Sequence, residues 1–143
     1  MSKGFTATKS ITVHAPVAVV WKGLTDAAQI RKYFFGTDLH TTWQPGTPLR
    51  FTGEWDGKPY EDKGTVLKFE PEKMLRYDYL SSWSGKADVP ENYQTITYKV
   101  KPKGDSTLVT IIQSNIDTLE NKVHSAQNWG MLLKNLKALL KGV

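Results

Sequence analysis

The chain has 143 residues, 39% of them hydrophobic, with 11 glycines and no cysteine. That composition fits one folded domain and excludes disulfides, thiolate catalysis and cysteine-bound metals. The net charge of +5 comes from 16 lysines and three arginines against 14 acidic residues, and the lysines are scattered from Lys3 to Lys141, the pattern of a solvated surface rather than a nucleic-acid face.

In chain order, residues 5–14 are rich in β-branched residues, with Phe5, Ala7, Ile11 and Val13 on one parity, which predicts a strand. Pro16 suits the first helical position. The segment 16–24 then reads as a short helix, because Val17, Val20, Trp21 and Leu24 share one face. Asp26 and Gln29 form a capping pattern for a second short helix over 27–33. It ends in the aromatic cluster Tyr33-Phe34-Phe35, stopped by Gly36.

After the Pro45-Gly46 turn, strands are expected at 48–55, 60–70, 73–80, 92–101 and 107–114, joined mostly by hairpin-type connections. Sequential hairpins imply an antiparallel meander. The connection 81–92 is too long for a tight turn and carries Trp83, which makes it a candidate lid over a cavity mouth or an ordinary surface loop. Asp117 and Glu120 predict a capping box. The helix after it runs to about Lys141, with an apolar stripe of Val123, Ala126, Trp129, Gly130, Leu133, Leu136 and Leu140. Lys134, Lys137 and Lys141 suit the negative end of its dipole.

The expected fold class is therefore α+β: a curved antiparallel sheet of about six to seven strands around a long C-terminal helix, with two short helices after the first strand. A curved sheet and a straight helix do not touch everywhere, so a cavity is expected between them. Gly130 in the helix stripe costs roughly 1 kcal/mol relative to Ala; close approach of a strand or room for a ligand would offset it. The chain has 16 aromatic residues, five of them Trp, and ligand pockets are mostly apolar and aromatic with a few placed polar groups. The candidate ligand-contacting residues are Phe34, Phe35, Phe51, Trp55, Tyr77, Tyr79, Trp83, Tyr98, Gln113 and Trp129, with Gln113 as the orienting hydrogen-bonder. Core filling is the alternative use for each aromatic.

No catalytic motif is present. His14, His40 and His124 show no ligand spacing, so neither a metal nor a cofactor is expected. Glu54, Glu61 and Asp62 lie on adjoining strands. A buried carboxylate among them would be a candidate general base, although a solvated sheet face is where carboxylates usually sit.

The motif V-x-x-V-W-K-G-L-T-D at 17–26, the Tyr33-Phe34 pair, the stretch from Pro45-Gly46 to Tyr77 and N-W-G-M-L-L-K-N-L-K-A-L-L at 128–140 together resemble the AHSA1-like family, named after the activator of Hsp90 ATPase, within the START-like/Bet v 1-like (SRPBCC) superfamily. The Trp129-Gly130 order reverses the usual one. The resemblance implies a single domain over 1–143 with a helix-grip fold and a hydrophobic cavity. The expected partner is a small hydrophobic molecule, bound without catalysis. The alternatives are an enzyme of cyclase or hydrolase type using the same cavity, and a chaperone-linked interaction module. The Met1–Phe5 start carries no apolar leader and no apolar run approaches the ~18 residues of a membrane span. The expected setting is the cytoplasm, as a monomer or homodimer, with neither nucleic acid nor membrane as partner.

Overall fold

The computed structural model of the chain describes residues 4–34, 36–81 and 85–140, and at Trp55 the backbone alone. Phe35, Trp83 and the Trp55 side chain therefore lie outside the described residues. Strand β1 (Phe5–Val13) is followed by helices α1 (Val17–Thr25) and α2 (Ala27–Tyr33). Strands β2 (Asp38–His40), β3 (Pro48–Trp55), β4 (Lys58–Glu70), β5 (Met74–Tyr79), β6 (Gln94–Lys103) and β7 (Ser106–Ile116) precede helix α3 (Leu119–Leu140). The seven strands form one sheet in the order β1-β7-β6-β5-β4-β3-β2, every neighbouring pair antiparallel. The fold is the helix-grip arrangement.

Three local readings shift. Pro16 is the residue before α1 rather than its first turn, in extended conformation at φ −65° and ψ 157°. The α3 cap is Thr118, whose Oγ1 accepts the Asn121 amide at 3.0 Å, while Asp117 accepts from the Asn121 side chain at 2.8 Å; the expected Asp117–Glu120 box is displaced by one residue. Strand β2 went unread because three residues are too few to show a period of two, and its register is fixed by β3. The cap of α2 is as expected, Asp26 Oδ2 accepting the Gln29 amide at 3.2 Å.

The sheet bends sharply at β4. A Cβ on Gly64 would lie 1.8 Å from the Asp78 carbonyl oxygen, so only glycine lets the end of β5 cross β4 there. Pairing skips a residue between Val66 and Lys68, a bulge that increases local twist. Asp78 Oδ1 accepts the Thr65 amide at 2.6 Å, which satisfies a backbone donor that the interrupted ladder leaves over.

The inner face of the sheet has two ends of different character. One carries Leu49, Val66, Leu75, Val100 and Val109 against Leu132, Leu133, Leu136 and Leu140 of α3, all buried. Burying each of those leucines contributes about 1.5–3 kcal/mol. The other end carries Tyr60, Asp62, Tyr79, Gln94 and Gln113, and faces the first half of α3. There the expected apolar stripe is interrupted: Val123 is 51% exposed. Gly130 faces Lys9 of β1, whose Cε would lie 3.2 Å from an added Cβ. Neither a strand backbone nor the cavity occupies its side.

Candidate functional site

The apolar half of α3 seals against the sheet, and the polar half stands off from it. Between them lies a cavity of about 530 Å³. Phe34 from the end of α2, Phe51 from β3, Tyr77 and Tyr79 from β5, Gln113 from β7 and Trp129 from α3 all line it. Exposed Glu54, Asn128 and Met131 stand at its rim.

Five aromatics close a circuit of ring contacts. Phe34 stacks on Phe51 at 5.8 Å, Phe51 meets Tyr77 at 5.6 Å, and Tyr77 meets Tyr98 at 6.0 Å. Tyr98 then meets Trp129 edge-on at 6.0 Å, and Trp129 returns to Phe34 edge-on at 6.2 Å. Such pairs each contribute about 0.5–1.5 kcal/mol beyond their buried area, so the circuit holds its rings in place. Tyr79 joins it through Phe51 at 6.0 Å. Tyr98 stands behind the cavity wall rather than on it, with its hydroxyl 3.4 Å from that of Tyr77.

The polar groups on the wall are held by one another. Trp129 Nε1 donates to Gln113 Oε1 at 2.7 Å, and Gln113 Nε2 donates to Gln94 Oε1 at 2.5 Å. An indole N–H only donates, which fixes the flip of the Gln113 amide. Tyr79 donates its hydroxyl proton to Asp62 Oδ2 at 2.8 Å. Thr37 and Tyr60 share a hydrogen bond of 2.6 Å, and Tyr60 packs over Gly53, where a Cβ would lie 2.7 Å from its hydroxyl oxygen.

Burial pushes the Tyr77 and Tyr79 phenols well above the ordinary range, and for Tyr79 the neighbouring Asp62 charge adds to it. Burial also pushes Tyr98 up to about 12. All three are therefore protonated donors at neutral pH.

Of the three carboxylates weighed from the sequence, the sheet separates their roles. Glu61 points outward and pairs with Arg50 at 3.0 Å. Asp62 points inward and is 7% exposed, contrary to the solvated position expected for it. The signal was present: Asp62, Gly64 and Val66 share one parity, and Val66 is fully buried. Tyr60 lies on that parity too and was missed, along with Thr37 and Ile96. Within the described part of the connection 81–92, Lys86 pairs with Asp117 at 2.9 Å and Asp88 pairs with Lys63.

The sequence model described as activator of Hsp90 ATPase homolog 1-like protein matches residues 14–141. The chain belongs to that family. Among solved structures, this AHSA1-like protein is similar to ChR145 from Cytophaga hutchinsonii, with 36% identity, TM-score 0.83, and coverage of 96% of this chain and 94% of that one. CalU16 from Micromonospora echinospora shares the fold at 19% identity and TM-score 0.71, over 98% of this chain and 84% of the other. DynU16, from the dynemicin biosynthetic locus, does so at 18% identity and TM-score 0.80. The match covers 96% of this chain but spans only about half of DynU16, 47% of its length. No functionally curated protein matches the sequence. No described helix is long and apolar enough to cross a membrane.

Proposed function

We propose that this AHSA1-like protein binds a small, largely apolar molecule in the cavity between the sheet and α3, without chemical turnover. The observation that carries the reading is a cavity of about 530 Å³ walled by a braced aromatic circuit and a few held polar groups. Ligand sites commonly have that size and that mixture. The ligand-contacting set is Phe34, Phe51, Tyr77, Tyr79, Gln113 and Trp129, with Tyr98 bracing Trp129 from behind.

The test is thermal shift and native mass spectrometry of the whole chain against a panel of lipids, aromatic amines, aromatic acids and polyketides. A ligand at 100 times its Kd stabilises by about 2.7 kcal/mol, a rise in Tm of about 5–10 °C for a domain of this size. If no compound raises the melting temperature, the reading fails.

A second reading has one observation behind it. The Asp62–Tyr79 pair puts a carboxylate and a phenol on an aromatic wall, the kind of placement a cyclase or hydrolase uses for proton transfer. It predicts that a bound panel member changes mass on incubation, and that Asp62→Asn keeps binding but abolishes the change. Ligands recovered unaltered would remove it.

A further inference from the structure

The wall of the cavity also bears on the charge of its occupant. The protein is basic overall, at +5. Yet the described residues that line the cavity include two carboxylates, Asp62 and Glu54, and no lysine, arginine or histidine. Asp62 is 7% exposed and lies in register with Phe51 of the aromatic circuit. Asp62 accepts the Tyr79 hydroxyl, and a carboxylate so little exposed to water is screened less than a surface acid. The rings around it add to this, because an aromatic face attracts a cation.

The donors point the same way. An anionic ligand needs N–H or O–H groups turned towards it. Here the indole N–H of Trp129 is given to Gln113, an N–H of Gln113 to Gln94, and the hydroxyl proton of Tyr79 to Asp62. Those three donors are thus engaged within the wall, and what it turns to an occupant is π-faces and the carboxylates of Asp62 and Glu54, beside the neutral side chains of Ser81, Ser125 and Asn128.

We infer that the cavity selects an organic cation: an amine or quaternary ammonium carried on an apolar, aromatic body, with its charge beside Asp62. This rests on the binding role proposed above and adds the sign of the charge to it.

Three probes on one naphthylmethyl body separate the two claims: naphthylmethyl-trimethylammonium, its uncharged carbon isostere neopentylnaphthalene, and the smaller anion naphthylacetate. Each is titrated into the isotopically labelled chain by heteronuclear NMR. The ammonium is expected to bind at least about tenfold more tightly than the isostere, the increment of a desolvated cation on a carboxylate and aromatic faces, with naphthylacetate the weakest. Asp62→Asn keeps an acceptor for Tyr79 and should remove most of the ammonium's advantage while leaving the isostere unchanged; an undiminished advantage overturns the placement of the charge beside Asp62. Glu54→Gln, at the exposed rim, should lower the preference by less. If Asp62→Asn does not fold, the wild-type ratio and its decline with added salt decide the matter. Equal or tighter binding of the isostere or the acid overturns the charge assignment and leaves the cavity role standing. No binding by any probe overturns both.

Discussion

Replacing Gln113 by Leu tests whether the polar wall is held as the geometry describes. Gln113 is 8% exposed; it accepts the Trp129 indole N–H at 2.7 Å and donates to Gln94 at 2.5 Å. Leucine keeps the volume and removes both bonds. An orphaned buried donor costs about 1–3 kcal/mol. Trp129 is only partly buried and water from the cavity can reach it, so the lower half of that range applies, about 1–2 kcal/mol. For a chain of this length that lowers Tm by about 3–7 °C. A double-mutant cycle isolates the bond. In a Trp129→Phe background there is no indole N–H to strand, so Gln113→Leu should cost about 1 kcal/mol less than it does in the wild type. Urea unfolding followed by far-ultraviolet circular dichroism gives all four free energies without relying on the removed fluorophore. Independent sites add to within about 0.3–0.5 kcal/mol. Additivity within that margin would refute the Gln113–Trp129 bond and the rigid wall argued from it.

Two glycines should respond in opposite directions. Gly64→Ala sets a Cβ against the Asp78 backbone, at 1.8 Å before relaxation, and should cost more than about 3 kcal/mol or abolish folding. Gly130→Ala meets only Lys9 Cε at 3.2 Å, the far end of an exposed, flexible side chain, and should gain about 0.5–1 kcal/mol from helix propensity; thermal melts of both variants check this. Hydrogen bonds from Asn121 and Lys86 hold the Asp117 carboxyl at about 2. A folded value below the unfolded one of about 3.9 gives stability that is complete above about pH 4 and is lost as pH falls through 2. The group is largely exposed, so the effect should be under about 1 kcal/mol. Denaturant titrations between pH 5 and pH 2 should show a smaller loss in Asp117→Asn than in the wild type.

The architecture could be read from the sequence wherever a segment was long enough to show its period. The alternation in β6 and β7, the Val20-Trp21-Leu24 face of α1 and Leu133, Leu136 and Leu140 of α3 each predict their burial. What escaped was short or relational. Strand β2 has no pattern of its own. Gly64 looked like one of several dispersed glycines, because its role depends on Asp78, which is distant in sequence but crosses it in space. Most of the aromatic wall was nominated from residue type alone, and of the seven candidates whose side chains are described, all but Tyr98 line the cavity. Asp62 was discounted on the general habits of carboxylates, when its parity with Val66 turned it inward. The circuit from Phe34 through Phe51, Tyr77, Tyr98 and Trp129 joins three strands and two helices, and no local pattern encodes such a closure.

The central claim is that α3 and the sheet enclose a working binding site at the polar end of the inner face. Intermolecular nuclear Overhauser effects from a bound probe of the panel test it directly. The account predicts contacts from the probe to the methyls of Ile96 and Leu132 and to the ring of Phe51, all of which line the cavity. Saturable binding with contacts only to Leu119 and Val123, on the exposed side of α3, would contradict it.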